Sequence, residues 1–157
     1  MLDVDGVLNN AHTQEEIEGY TFVEDGKIQL LKQIIDATGA RVVLTSTWRY
    51  GWYCLDYVPN PTESERRDIR LFEALRAKLQ AHDIDLLSYT DDFGLRGLEI
   101  EQWLKGWHGE PIDSFVILDD LDAWELQPYA DRLVQTAFSV GLTEQHVQRA
   151  IELLFEV

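Results

Sequence analysis

The chain has 157 residues, 45% of them hydrophobic, which fits one domain with a sizeable apolar core. Its 29 acidic residues outnumber its 13 basic ones, and the resulting net charge of −16 argues against autonomous, non-specific binding of nucleic acid. The single cysteine, Cys54, excludes an internal disulfide, and no apolar run approaches the length of a membrane span, so we expect a cytoplasmic protein.

Strands and helices alternate in the first half of the chain. The predicted elements there are a very short strand at 1–2, a small flap at 9–24, a helix that opens at Asp25 and ends at Gly39, and a buried strand at 41–45. The short first strand leaves open whether residues are missing upstream of Met1. Residues 48–65 are aromatic and contain prolines, and they form either a lid or a satellite core.

The second half continues the same alternation. Its predicted elements are a helix around 69–79, a short strand at 84–90, a helix at 98–104, a buried strand at 114–118, a strand at 132–137 and a last helix capped by Thr143. This order predicts an α/β fold in which helices cover both faces of a mostly parallel sheet, a three-layer Rossmann-like arrangement. We expect a single domain over residues 1–157 that is essentially capless, because no stretch between these elements could hold a large cap.

Polar side chains follow three of the apolar strands. They are Asp3 and Asp5 after the first strand, Thr45 and Ser46 after the second, and Asp119 and Asp120 after the strand at 114–118. Because parallel strands place their carboxyl ends on one edge of the sheet, we expect these groups to cluster. Carboxylate and hydroxyl oxygens suit Mg²⁺, which keeps several waters and bridges to a phosphate. The sequence therefore predicts a magnesium site that takes a phosphorylated ligand.

The run from Asp3 to Asn9, Asp-Val-Asp-Gly-Val-Leu-Asn, resembles the signature of the haloacid dehalogenase-like (HAD) phosphatases. The resemblance implies that Asp3 is a nucleophile that forms an aspartyl-phosphate. It also implies that Asp5 protonates the leaving oxygen and then activates water, while its backbone carbonyl binds the metal. Gly6 allows the sharp turn that follows and joins the expected substrate-binding set.

Two later motifs match the same family in the expected order. Thr45, at the end of the second strand, matches the residue that binds phosphoryl oxygens, and Ser46 could add its hydroxyl or backbone N–H. Asp119-Asp120 matches the family's acidic pair, which implies that Asp120 is the more direct magnesium ligand and that Asp119 lies close behind.

The cationic motif departs from the usual pattern. The family generally places a lysine at the start of the helix before the acidic pair, whereas Arg96 is the best candidate here and Lys105 lies a helix length later. An arginine can supply the same positive charge. A further acidic residue often found three residues past the acidic pair is replaced by Ala123, and Asp122 is its nearest substitute.

A narrower resemblance covers almost the whole chain. The segments at 43–49, 96–104, 117–120 and 141–143 are similar to a HAD subgroup associated with Swiss-army-knife RNA repair proteins. The resemblance to HAD phosphatases implies a phosphorylated small molecule or nucleotide as substrate, and this narrower resemblance implies, as the alternative, a nucleic-acid end reached with a partner. Arg49 is expected to contact substrate, with a structural ion pair as an equally weighted alternative. A non-catalytic module that binds metal or phosphate remains the rival from another class.

Overall fold

The structure is a computed structural model, and it describes residues 1–156. In chain order its elements are β1 (Glu16–Ile17), β2 (Tyr20–Thr21), α1 (Asp25–Thr38), β3 (Val42–Leu44), α2 (Arg49–Tyr57), α3 (Glu63–Gln80), β4 (Leu86–Tyr89), α4 (Arg96–Gly106), β5 (Ile117–Asp119), two short 3-10 turns (Ala123–Leu126 and Ala130–Arg132), β6 (Leu133–Gln135) and α5 (Glu144–Phe155). Within these residues the protein is mixed α/β, with five helices and short parallel strand pairs.

The first residues of the chain lie between two parallel strand pairs. β3 pairs with β4, and β5 pairs with β6. Leu2 forms parallel bridges to both Leu44 and Leu118. Its N–H donates to the Val43 carbonyl at 2.8 Å, and the N–H of Asp3 donates to the Leu118 carbonyl at 2.9 Å. The short first strand is therefore a single bridging residue, and hydrogen bonds on both sides fix the backbone that carries Asp3.

The predicted helix ends follow from local chemistry. Helix α1 ends at Gly39, whose φ of 71° is the left-handed conformation that glycine adopts at little cost, and its N–H donates to the Ile35 carbonyl. The Thr143 hydroxyl accepts the His146 N–H at the start of α5, as its position predicted. Helices α3 and α4 begin earlier than the apolar periodicity indicated, at Glu63 and Arg96.

Residues 48–65 contain a helix that the sequence pattern did not indicate. Helix α2 packs against α3, and the Trp52 ring stacks on Phe72 with centroids 5.1 Å apart. Gly51 lies at the contact, where a Cβ would overlap the Asp68 backbone carbonyl and the Phe72 side chain. The close approach of the two helices therefore requires glycine, and the segment packs as part of the core.

The flap predicted at 9–24 contains a small hairpin. Strands β1 and β2 pair antiparallel, and Glu18 and Gly19 form the turn with φ values of 52° and 81°. The hairpin is tied to α3 by an ion pair between Arg70 Nε and Glu18 Oε1 at 2.7 Å and by another between Lys78 Nζ and Glu15 Oε2 at 2.8 Å. These contacts hold the flap against the body of the protein.

The main apolar core fills the space between the strands and the helices. Representative members, each no more than 3% exposed, are Leu2, Leu44, Leu118, Ile28, Phe72 and Val147. A second, smaller cluster forms around Ile100, Ile117 and Leu126. Over residues 1–156, no helix combines the length and the apolar character needed to cross a membrane.

Candidate active site

Three carboxylates predicted for the metal site meet at the carboxyl edge of the strands. Asp3, Asp119 and Asp120 each place a carboxylate oxygen within 4.8 Å of the others. Asp3 and Asp119 are buried, at 8% and 0% exposed, and Asp120 is half-buried. Their backbones are held in or directly after hydrogen-bonded strand positions. The structure thus brings these three groups together at the edge where the sequence placed them; we refer to them as the carboxylate cluster.

Gly6 makes room for this cluster. Its φ is 81°, and a Cβ at this position would overlap the Asp120 carboxylate. The Gly6 N–H donates to Asn9 Oδ1 at 2.9 Å, and its carbonyl accepts a hydrogen bond from the Thr136 hydroxyl at 2.6 Å. The turn after Asp5 is therefore held from both sides. Thr136, which follows β6, was missed in the sequence because nothing local connects it to residue 6.

The Asp5 side chain lies apart from the carboxylate cluster and is exposed. Its Oδ1 accepts a hydrogen bond from Asn9 Nδ2 at 2.9 Å, and its Oδ2 accepts one from Trp48 Nε1 at 3.1 Å. The carboxyl group is thus oriented by two neutral donors. The contact between Trp48 and Asp5 spans 43 residues of chain, and no local pattern in the sequence indicated it.

Arg96 is the cation that reaches the cluster. Its Nη2 lies 4.0 Å from Asp3 Oδ1, and its Nε lies 3.6 Å from Asp119 Oδ2. Lys105 lies at the other end of α4, where its side chain is 64% exposed and pairs with Glu101 at 3.0 Å. Of the two candidates for the cationic role, the structure places Arg96 beside the carboxylates.

Arg49 and Glu99 form a buried pair behind the cluster. Arg49 is 3% exposed and Glu99 is 4% exposed, and Arg49 Nη2 donates to Glu99 Oε1 at 3.1 Å. Arg49 also donates to the Thr45 carbonyl, and Glu99 Oε2 lies 3.8 Å from Arg96 Nε. This placement favours the structural ion pair for Arg49 over a substrate contact. Glu99 lies 50 residues from Arg49 in the chain, and no local pattern in the sequence indicated their pairing.

Several buried polar atoms at this edge lack a hydrogen-bond partner within residues 1–156. They are Thr45 Oγ1, Thr90 Oγ1, Arg96 Nη1, Glu99 Oε2 and Asp119 Oδ2. Buried polar atoms are normally paired, and a group of exceptions marks a place where a polar ligand completes the bonding. Ser46 is also buried, but its hydroxyl accepts the Trp48 N–H at 3.2 Å. Thr90, at the end of β4, was not among the expected site residues.

The cluster carries an excess of negative charge. Burial, and then the Asp119 charge, raise the pKa of Asp3 to about 7 against the opposing effect of Arg96. Burial also raises the pKa values of Asp119 and Asp120. With Glu99, four carboxyl groups lie beside two guanidinium groups, so acidic groups outnumber cationic ones at this edge. The all-oxygen donor set could hold a divalent cation and suits Mg²⁺.

A family model described as "HAD domain in Swiss Army Knife RNA repair proteins" matches residues 1–147. The chain belongs to this family. HAD domains are generally hydrolases. Searches of curated proteins and of solved structures found no match.

Asp122, the neighbour of Ala123, is not among the three carboxylates of the cluster. The Asp122 N–H donates to Glu125 Oε2 at 3.2 Å, and its Oδ1 accepts a hydrogen bond from Gln135 Nε2 at 3.3 Å. Asp122 thus caps the 3-10 turn that follows the motif. The carboxylate cluster is completed by Asp119 and Asp120 without it.

Proposed function

We propose that the protein is a magnesium-dependent phosphatase that cleaves a phosphomonoester through an aspartyl-phosphate on Asp3. The observation that carries this proposal is the buried cluster of Asp3, Asp119 and Asp120 beside Arg96, in a chain of the HAD family. Raised pKa values and unpaired polar atoms at one edge are typical of functional sites. A non-catalytic module has no need of an oriented acid/base group such as Asp5.

Mg²⁺ would be held by the carboxylates of Asp3, Asp119 and Asp120 together with the Asp5 backbone carbonyl. When bound, the ion neutralises the cluster and stabilises negative charge on the phosphoryl oxygens. Asp119 Oδ2, which has no hydrogen-bond partner within residues 1–156, and the excess of carboxyl groups over guanidinium groups support this assignment.

In the first half-reaction a carboxylate oxygen of Asp3 attacks phosphorus, and the bond from phosphorus to the ester oxygen breaks. Asp5 gives its proton to the departing oxygen. In the second half-reaction Asp5 takes a proton from water, the resulting hydroxide attacks phosphorus, and the Asp3 carboxylate is released with inorganic phosphate. Trp48 and Asn9 hold the Asp5 carboxyl for both proton transfers.

Other groups at the edge bind and position the phosphoryl group. We assign the Thr45 hydroxyl, which has no protein partner within residues 1–156, to a phosphoryl oxygen. Ser46 and the backbone of Gly6 complete this set. Arg96 offsets charge between the Asp3 carboxylate and the phosphate. Arg49 and Glu99 act as positioning residues, because they contact Thr45 and Arg96 from behind.

The same proposal extends to the frame of the site. We propose that residues 1–157 form one domain in which β4, β3, Leu2, β5 and β6 are the central layer of a three-layer Rossmann-like fold. The bridges of Leu2 to Leu44 and Leu118 support this order. The flap at 9–24 contains only this two-stranded hairpin at 16–21, which supports an essentially capless domain. A cytoplasmic location accords with the free Cys54.

A second candidate is a phosphatase for nucleic-acid ends that works with a repair partner. The family description, which places these domains in RNA repair proteins, favours it. Release of phosphate from 3′- or 5′-phosphorylated oligonucleotides, compared with small metabolites, separates the two candidates.

The test of the proposal is phosphate release from p-nitrophenyl phosphate and nucleoside monophosphates, with Mg²⁺ and with EDTA. Asp3→Asn should lower the rate by at least about 10³-fold, since loss of a covalent nucleophile removes the pathway itself. Asp113→Asn, which changes an exposed carboxylate before β5, is the matched control and should keep full activity. Turnover that survives in Asp3→Asn, or that EDTA leaves unchanged, would contradict the mechanism.

A further inference from the structure

A separate cavity of about 260 Å³ opens beside Asp5. Its wall includes Tyr20, Trp48, Tyr50 and Leu71, together with two carboxylate residues, Asp5 and Asp68. Pockets for drug-sized ligands begin at about 300 Å³, so this cavity fits a single ring system better than a whole nucleotide. Three of its eight lining residues are aromatic, whereas the carboxylate cluster contains no aromatic side chain.

Each aromatic wall is held by a polar contact. The Tyr50 hydroxyl donates to Asp92 Oδ2 at 2.6 Å, and the Trp48 indole N–H donates to Asp5. The Arg67 guanidinium lies over the Tyr20 ring, 5.7 Å from its centroid. Tyr20 and Tyr50 nevertheless remain 46% and 37% exposed. Fixed, solvent-facing rings around a cavity provide stacking surfaces for a planar group.

Asp5 connects the cavity to the chemistry. An acid that protonates the leaving oxygen must lie within hydrogen-bond reach of it. Since Asp5 is also part of the cavity wall, whatever is attached to that oxygen extends into the cavity. The aromatic cavity is therefore on the leaving-group side of the site.

We propose that this cavity binds the nucleobase of a nucleotide whose phosphate is removed at Asp3. The assignment rests on the proposed phosphatase function and adds the substrate class, because bases of any sequence stack on aromatic side chains. Arg67 supports a nucleotide over other aryl esters. No carboxylate lies within 4.0 Å of its guanidinium in residues 1–156, and its buried Nε has no hydrogen-bond partner there. A further phosphate of the same ligand is a suitable partner for it.

The experiment compares kcat/KM for a nucleoside monophosphate with that for ribose 5-phosphate, which lacks the base. The wild-type ratio should favour the nucleotide, and Tyr20→Leu should lower it about tenfold, the size expected for loss of one stacking ring. Tyr20→Phe keeps the ring and should keep the ratio. Tyr57→Leu removes a tyrosine that is 67% exposed on α2 and outside the cavity, and it is the matched control.

Equilibrium dialysis with the same two ligands separates failure of this inference from failure of the phosphatase proposal. If the wild-type protein hydrolyses both esters equally and Tyr20→Leu changes nothing, the nucleobase site is wrong although the phosphatase stands. If no ester is hydrolysed but the nucleotide binds and Tyr20→Leu weakens its binding, the site stands and the phosphatase proposal fails. If the protein shows no turnover and no binding of either ligand, both proposals are wrong.

Phosphorylated dinucleotides identify the source of the base. A lower KM for the dinucleotide than for the mononucleotide, lost in Arg67→Gln, assigns the end of a polynucleotide. Equal KM values for the dinucleotide and the mononucleotide, both in the wild type and in Arg67→Gln, assign a mononucleotide. Either result supports a base in the cavity, whereas a preference for ribose 5-phosphate over both contradicts it.

Discussion

At two places in the chain, a residue of the apolar core is followed directly by a residue of the carboxylate cluster. Leu2 and Leu118 are 1% and 3% exposed and belong to the core, while the next residues, Asp3 and Asp119, are 8% and 0% exposed and belong to the cluster. The core residues stabilise the fold by about 1.5–3 kcal/mol each through burial. The neighbouring aspartates oppose it, because burial and mutual repulsion raise their pKa values.

The carboxylate cluster therefore lowers the stability that burial of the core provides. A buried carboxylate that stays charged without a partner destabilises the fold, and the unpaired atoms at the same edge add to that cost. Functional residues commonly lower stability in this way. Changes in the core should therefore lower stability and leave the chemistry intact, whereas changes in the cluster should abolish the chemistry and leave stability equal or higher.

The largest stability effect is expected in the core. Leu79 is fully buried near the end of α3, and Leu79→Ala should lower the free energy of unfolding by about 2–5 kcal/mol through loss of burial and a cavity. The same change at Leu55, which is 40% exposed, should cost no more than about 0.5 kcal/mol. Urea denaturation measures both. The contrast fails if kcat of the folded Leu79→Ala protein drops along with its stability.

Mg²⁺ should stabilise the protein in a pH-dependent way. At a free ion concentration of about 100 times the dissociation constant, binding adds about 2.7 kcal/mol. The pKa of Asp3 is raised from 3.8 to about 7, so between these values the folded state keeps a proton that the unfolded state has released. Stability without metal therefore falls as the pH rises through this window, and the gain from Mg²⁺ grows because the ion no longer competes with protons.

Thermal unfolding at pH 5 and at pH 8, with Mg²⁺ and with EDTA, checks this prediction. The shift in Tm on adding Mg²⁺ should be clearly larger at pH 8. Ca²⁺ is a useful comparison because it also binds oxygen ligands. An equal shift at both pH values would mean that the ion binds away from the carboxylate cluster.

The smallest expected change in stability is a gain, opposite in sign to the loss expected for Leu79→Ala. Asp119→Asn should raise the free energy of unfolding in EDTA by about 0.5–2 kcal/mol, since it removes one of the repelling buried charges. It should also abolish the shift caused by Mg²⁺. Thr62→Ala is the control, because it removes the capping box of α3 at a position distant in sequence from the carboxylate cluster. It should lower the free energy of unfolding by about 1 kcal/mol, and the shift in Tm caused by Mg²⁺ should persist. Destabilisation by Asp119→Asn would show that its charge supports the fold.

Part of the site could be predicted because it depends on neighbouring residues. Strand ends fix where Asp3, Thr45 and Asp119 lie, since parallel strands share an edge, and the order of motifs indicated the HAD family that the chain belongs to. Gly39 ended its helix as predicted, because positive φ is a local property. The roles assigned to these residues stay predictions until activity is measured.

The sequence by itself determined the alternation of strands and helices, the oxygen-rich edge and the family, all of which depend on patterns a few residues long. Only the tertiary structure decided that the aromatic segment contains a helix, α2. It also decided that Glu99 is buried between Arg49 and Arg96, and that Trp48 orients Asp5 beside an aromatic cavity. The physical reason is sequence separation. The contacts from Trp48 to Asp5 and from Arg49 to Glu99 span 43 and 50 residues, and no local pattern encodes such a meeting.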